Sequence, residues 1–466
     1  MNLAMGIKAL ARRLPSVRGA AIPAAAVVLL FAGSAAQAQM DGRWWEKLTG
    51  FERPGTYAQP AASERPERRM EDLHDLRPGN VPLRSDAEIQ ALERAVARYQ
   101  DIASAGGWPL IPGTRAIRPE DDDERIPILR RRLQMTGELR RSENDDLGFG
   151  FGFGGGYSYD AALDRAVRQY QQNNGLRVTG RVDKPTLDSL NVPAHARLAQ
   201  LKLNLQRIHD LMAQRIEDRY VLVNPPAFQL EAVEFNEVAQ RHRVIAGKPD
   251  RQTPTVKATI RALNFFPYWR VPESVANLDL IPRLRKEPDY LQKEQIRVLT
   301  GSFNGPEVDA YNIDWRQVDA TKIRFRQDPG PQNALGLVRI DMPNEHGVYM
   351  HDTPMKPLFN QRARAFSAGC VRVQDVFGLV EWIARYEPGW EQPGRVQAVI
   401  SGGQPLDLTL TRPVPVYFTY ITAWAETDGS IQFRPDIYGR DGVRDLRAGD
   451  ERDPSEGPVP SQSLAP

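Results

Sequence analysis

Near residue 219 the spacing of apolar side chains changes period, and that change divides the chain into two kinds of structure. Before it the spacing is helical. Ile89, Leu92, Ala95 and Val96 share one face of the stretch from Ala87 to Ala103, and Ile128, Leu129, Leu133 and Met135 mark a shorter helix. Leu163, Ala166, Val167 and Tyr170 recur at i, i+3, i+4 and i+7. The segment RLAQLKLNLQRIHDLMAQRI, with Leu198, Leu201, Leu205, Ile208 and Met212 as its stripe, reads as a connector helix. From Arg219 onward apolar and polar residues alternate between turn signals in YVLVNPPAFQLEAVEFNEVAQRHRVIAG, which predicts strands. VKATIRALNFFPYW continues the alternation. Leu280, Leu284 and Leu291 then predict helices inserted among strands, which are expected again at ALGLVRIDMPN, GVYMHD, VQAVIS and VPVYFTYITAWAE. The fold class is multidomain α+β.

The first 38 residues carry Lys8, Arg12, Arg13 and Arg18, an apolar run from Ala20 to Gly33, and the small-residue site Ala36-Gln37-Ala38. That is the pattern of a cleaved secretory signal peptide. The run is shorter than the roughly 20 residues that span a bilayer. Cleavage removes four positive and no negative charges, so the formal net charge goes from +2 to −2 (2 − 4). Nothing in that balance suggests a nucleic-acid partner, and no later segment is apolar enough to cross a membrane. An exported chain would tolerate disulfides, yet this one has a single cysteine, Cys370. Such a thiol is an intermolecular link, a reactive group or a small buried hydrophobe.

Its surroundings favour chemistry. In HGVYMHDTPMKPLFNQRARAFSAGCVRV, residues 346–373, a period of two puts Tyr349 and His351 on one strand face and Val348 and Met350 on the other. Gly369 permits a tight loop before Cys370. Val376, Leu379, Val380 and Ile383 predict a helix just after it, whose N-terminal dipole is expected to favour the thiolate. Cys–His is a common way to activate a nucleophile. One Cys and two nearby His, His346 and His351, do not make a zinc ligand set, so neither metal nor cofactor is expected.

The pattern H-x-x-x-H-D-T-P followed by S-x-G-C-x-R resembles the catalytic domain of the L,D-transpeptidases (YkuD type), in particular the large periplasmic YcbB-type family. The resemblance extends to GKPDRQTP (Gly247 to Pro254), FPYWRVP (Phe266 to Pro272), LRKEPDYL with IRVL (Leu284 to Leu299), and VPVYFTYITAW (Val414 to Trp424). Relatives usually read NPYW where this chain has FPYW. Asp160, Leu163, Ala166, Val167, Tyr170, Gln171, Gly175, Leu176, Thr179, Gly180, Val182, Thr186 and Leu187 likewise resemble the small helical peptidoglycan-binding domain.

The resemblance implies cleavage of the bond between a diamino acid and the following D-Ala in a peptidoglycan stem, with resolution by an acceptor amine to give a 3→3 cross-link. Cys370 would be the nucleophile and His351 the base. Gly369 and Cys370 N–H groups would hold the oxyanion, Ser367 would order the loop, and Arg372 would pair with a stem carboxylate. Tyr349 could line the cleft or pack across strands; Trp269 could form part of an acceptor groove or be buried; His346 could touch substrate or stay in its turn. Lys248 and Arg251 could meet carboxylates or lie on a solvated turn. Donor and acceptor stem peptides are the expected partners, in the periplasm. A protein amine as acceptor, which would attach an outer-membrane protein to the wall, needs the same residues, and a non-catalytic wall-binding protein is the reading from another class.

The expected organisation is a signal peptide (1–38), a disordered linker (39–83), a helical segment (84–124), and a peptidoglycan-binding-like domain with a Gly-rich insert (125–192). A connector helix (193–218) and the catalytic domain (219–412) follow, the latter with a capping subdomain at about 265–335. A β extension (413–440) and a disordered tail (441–466) complete it.

Overall fold

The computed structural model describes residues 75–140, 157–214 and 217–443. The signal peptide, most of the linker, most of the Gly-rich insert and most of the tail lie outside the described residues. No helix among the described residues is long and apolar enough to cross a membrane.

Among the described residues, five helices precede the first strand. Helix α1 (Asp86–Ser104) starts where Ser85 accepts the Glu88 N–H. Helices α2 (Ile126–Thr136), α3 (Ala161–Asn173) and α4 (Lys184–Leu190) enclose a core of Ile117, Leu129, Leu163, Val167, Tyr170 and Leu187. Asp160 caps α3 and Asp183 caps α4, each accepting the N–H three residues on. Helix α5 (Ala194–Met212) packs against α1, and Leu92, Tyr99, Leu201, Ile208 and Trp424 share their core.

After Arg219 the chain builds a closed sheet. Strands β1 (Arg219–Asn224), β2 (Gln229–Glu234), β3 (Glu237–Gly247) and β4 (Val256–Phe265) are long. A separate four-stranded sheet interrupts the sequence after them: β5 (Trp269–Arg270), β6 (Ile296–Thr300), β7 (Glu307–Val308) and β8 (Ile323–Gln327), in the order β5-β8-β6-β7. Helical turns at 273–284 and Tyr290–Lys293 cover it, burying Trp269, Leu280, Leu284, Tyr290 and Phe325. This is the inserted capping subdomain.

The main sheet resumes with β9 (Val338–Asp341), β10 (Met350–His351), β11 (Ala365–Ser367), β12 (Val371–Val373) and β13 (Leu406–Phe418). Its order is β11-β3-β12-β10-β9-β4-β13-β1-β2, and a β2–β3 pairing closes the ring. Val244, Ile260, Leu263, Ile340, Met350, Val371 and Val416 are among the residues that fill it. Helix α6 (Val376–Ala384) packs Leu379, Val380 and Ile383 into the same core. The hairpin β14 (Ala423–Ala425) and β15 (Ile431–Phe433) lies against α1 and α5.

Four expectations are corrected. VQAVIS is not a strand but part of helix α7 (Arg395–Gly402). Val396 and Ile400 are buried at a spacing of four, and Gly394 and Gly403 bound the helix in left-handed conformations. The boundary expected at 412/413 falls inside β13, which pairs with β4 on one side and β1 on the other. Residues 75–83 of the expected linker are packed: Arg77 is buried among Glu88, Glu231 and Glu426, and Asp75 pairs with Arg243 and Arg364. At the start of the expected tail, Asp441 is buried and bonded to Thr422 and Arg207. Charge pairing holds these two segments, so their low apolar content did not forecast disorder.

Candidate active site

Strands β10 and β12 run parallel, Met350 beside Val371 and His351 beside Arg372. Val348, Met350, Val371 and Val373 enter the barrel core. Alternation therefore sends Tyr349, His351, Cys370 and Arg372 to the opposite face. Three of them are enclosed by protein, with His351 0%, Arg372 1% and Cys370 7% exposed, and Tyr349 is partly buried. Four chemically distinct side chains thus converge from two strands of two and three residues.

The His351 ring is oriented from one side. Its Nδ1 lies 2.5 Å from the Asp352 carbonyl oxygen, so Nδ1 carries the proton and Nε2 the lone pair. Nε2 is buried and has no hydrogen-bond partner among the described residues. Burial, with the neighbouring Arg372 cation next in weight, pushes the imidazole down to about 3. Asp352 is itself fixed, its carboxylate accepting the Leu337 N–H at 2.9 Å and an ion pair from Lys356. Gly336 is required beside it: φ is +61°, and a Cβ there would lie 2.3 Å from Asp352 Oδ2.

The thiol is neutral at rest. Burial pushes Cys370 up to about 11, against the opposing pull of the Tyr349 backbone N–H and hydroxyl, both of which face the sulfur. No hydrogen bond joins Cys370 to His351. The expected help from a helix dipole is absent, because β12 separates the thiol from α6. The dipole effect falls off within one turn, so a helix beginning beyond an intervening strand does not stabilise this thiolate.

The loop before the thiol is cross-braced. Ser367 Oγ donates to the Cys370 carbonyl at 2.5 Å and accepts the Gly369 N–H at 3.2 Å. Ser367 Oγ thus braces both ends of the loop, and Gly369, expected as an oxyanion donor, has its N–H engaged instead. The Cys370 amide makes no hydrogen bond among the described residues. Gly369 has φ +120°, a conformation that L side chains rarely adopt. From the GKPDRQTP turn, the Lys248 N–H meets Ser367 O at 2.9 Å and Thr253 Oγ1 meets Gly369 O at 2.9 Å. Arg251 in that turn is bound through both guanidinium ends to Asp279 of the capping subdomain, rather than standing free for a ligand carboxylate.

Arg372 opens onto a cleft with about 370 Å³ of atom-free space. The capping subdomain contributes Trp269, Tyr290 and Glu294 to its wall, and the catalytic barrel contributes Thr353 and Met355. Arg372 Nε and Nη1 are buried without hydrogen-bond partners. Burial lowers the guanidinium to about 10, and Arg372 makes no ion pair among the described residues. This is a cation held ready for an anion. Trp269 is buried at the cleft wall, its indole N–H near the Tyr349 hydroxyl but outside hydrogen-bonding geometry. His346 is not in the site: it stays in an exposed turn with its ring 3.5 Å from Glu345. Phe266, where the resemblance led one to expect Asn, has φ +49°. Asn tolerates that region best among residues with a side chain, so the demand at this position is conformational.

Sequence reasoning missed Thr253 and Tyr438 as supports of the loop. Thr253 lay within a segment flagged by resemblance, whereas Tyr438 had no signal at all, its partners being 185 and 191 positions away.

A buried thiol, an oriented imidazole and an unpaired guanidinium thus converge where β10 and β12 run side by side. Residues 218–416 match the family described as the L,D-transpeptidase catalytic domain, YkuD. Residues 151–190 match the "Putative peptidoglycan binding domain". A Haemophilus influenzae protein named "Putative L,D-transpeptidase" is 33% identical over 222 residues, covering 47% of this chain and 44% of that protein. The chain thus spans less than half the length of the curated relative it matches. Among solved structures, the L,D-transpeptidase of Xylanimonas cellulosilytica is 13% identical with a TM-score of 0.20, over 66% of this chain and 98% of that one. The Stackebrandtia nassauensis enzyme is 12% identical with a TM-score of 0.23, over 66% and 96%. The assignment rests on the family match and the curated relative. Residues 218–416 thus match a YkuD-type L,D-transpeptidase catalytic domain, interrupted here by the inserted cap, and they follow a helical domain that matches a peptidoglycan-binding family.

Proposed function

We propose that the chain is an exported peptidoglycan L,D-transpeptidase acting in the periplasm with Cys370 as nucleophile. One observation carries the reading: the buried Cys370 thiol, the His351 imidazole with a free Nε2, and the unpaired Arg372 share one face of β10 and β12.

Arg372 binds a stem carboxylate through its two free N–H groups. That anion offsets the cation that now depresses His351, so the imidazole becomes a better base as the donor arrives. His351 Nε2 takes the thiol proton, and Cys370 Sγ attacks the carbonyl of the stem's third residue. The Cys370 N–H faces the developing oxyanion. The C–N bond to D-Ala breaks, His351 returns its proton to the leaving amine, and a thioester remains. An acceptor amine attacks the thioester, its proton passes to Nε2 and back to sulfur, and a new amide forms with the thiol restored. The domain at 151–190 would hold the glycan strand near this cleft.

The test uses the mature protein and a disaccharide-tetrapeptide, followed by mass spectrometry beside Cys370→Ala. Loss of D-Ala, a thioester adduct and a dimeric product, all absent in the variant, support the reading. An adduct with no dimer would overturn the stem amine as acceptor and favour a protein amine. Folded protein that forms no adduct would overturn the enzymatic reading in favour of a wall-binding one.

A further inference from the structure

We infer that Thr253 and Tyr438 are positioning residues for the oxyanion-binding amide, with the segment after β15 acting as a clamp on the nucleophile loop. The inference rests on the transpeptidase reading above for what that amide does.

A peptide unit is planar and trans, so its C=O and N–H point in opposite directions. The unit joining Gly369 to Cys370 has its N–H without an internal partner and its C=O bonded to Thr253 Oγ1 at 2.9 Å. Fixing the carbonyl therefore aims the Cys370 N–H. This constraint matters because Gly369, at φ +120°, lies in a region where glycine has wide freedom and no side chain to limit rotation.

Thr253 is held in turn. Its Oγ1 accepts the Gly247 N–H at 2.9 Å, which leaves its one hydroxyl proton for Gly369 O. The Tyr438 hydroxyl donates to Gly247 O at 2.8 Å and accepts the Thr253 N–H at 3.3 Å. A single phenol thus bridges both ends of the turn that carries Thr253. Tyr438 is 8% exposed, stacks on Tyr420 at 5.5 Å between centroids, and gives its own N–H to the Tyr420 hydroxyl. The Tyr420 hydroxyl donates in turn to Asp436. Arg440 adds a bond from the same segment to Thr253 O. None of these groups reaches the cleft, so their effect on chemistry runs through the loop alone.

The full mature chain is compared with Tyr438→Phe, Thr253→Val and Thr253→Ser. Three readouts are taken: thioester formation with the tetrapeptide donor, alkylation of Cys370 by iodoacetamide, and hydrogen exchange across 367–373. Alkylation forms no oxyanion and reports thiol access only. A misaimed donor is expected to slow acylation about tenfold for Tyr438→Phe and about a hundredfold for Thr253→Val. KM and alkylation should stay within twofold of wild type, exchange should quicken, and Thr253→Ser should recover most of the rate. Wild-type acylation in Tyr438→Phe and Thr253→Val overturns the inference, as does an equal fall in alkylation. If wild-type protein never acylates, the transpeptidase reading fails separately. Faster exchange in the variants then still supports the clamp, and unchanged exchange still overturns it.

Discussion

Acid should expose the cost of burying His351. The imidazole is completely enclosed and sits beside Arg372, which is why its titration falls to about 3 from an ordinary 6.5. A depressed folded-state value means that the unfolded chain takes up the proton first as pH falls. The contribution to stability is therefore full above about pH 6.5 and is lost progressively as pH drops toward 3. Between pH 7 and pH 4.5 the linkage relation gives about 2.5 kcal/mol from this one group. His351→Gln keeps a polar side chain of similar length that does not titrate. Urea unfolding of both proteins at pH 7, 5.5 and 4.5 isolates the imidazole, because every other titrating group appears in both curves and cancels. The wild type should lose about 2.5 kcal/mol more than the variant over that span. Parallel curves would refute the reasoning and mean that water reaches Nε2.

The other two predictions concern the cleft. Arg372→Met removes a buried cation that lacks a counterion, so stability should rise by on the order of 1–3 kcal/mol, seen as a higher unfolding midpoint, while donor KM increases at least tenfold. A fall in the midpoint would show that Arg372 is compensated within the protein. Arg251→Met unties the GKPDRQTP turn from the capping subdomain and should speed iodoacetamide alkylation of Cys370 several-fold; stability should change by about 1 kcal/mol or less, since the pair is partly exposed. Unchanged alkylation would mean that this ion pair does not restrain access to the thiol.

How legible the molecule was in its sequence depended on the distance over which each feature is decided. Helices α1, α2, α3 and α5 followed from their apolar stripes because a stripe is local. Half of the site followed from local order too: alternation in GVYMHD puts Tyr349 and His351 on one face, whereas SAGCVRV read only as a tight loop and its strand β12 was not foreseen. The pairing itself was not visible, and with it went the protonation states. Motif chemistry suggested a thiolate aided by a helix; burial and the intervening β12 produce a neutral thiol instead. Gly369 misled for a similar reason, because nothing in the sequence shows that Ser367 Oγ takes its amide. The strap at 75–83 was opaque because much of its stability is non-local: besides Glu88, the buried Arg77 pairs with Glu231 and Glu426, 154 and 349 positions away (231 − 77 and 426 − 77).

These two hidden features, the neutral pair and the long-range supports, belong to one physical problem. A closed cleft strengthens every charge interaction inside it, yet it disfavours the thiolate and the imidazolium that acyl transfer must pass through. The protein leaves Arg372 unpaired, which is costly in the empty site and favourable once a carboxylate enters. The donor's own charge then relieves His351, the group that Arg372 holds down. A site organised this way cannot rely on a preformed ion pair to keep its geometry. It needs a nucleophile loop fixed by uncharged hydrogen bonds, and Ser367, Thr253 and Tyr438 provide them. Under the proposed function the segment after β15 would accordingly support the catalytic loop, although it follows the last strand of the barrel in sequence.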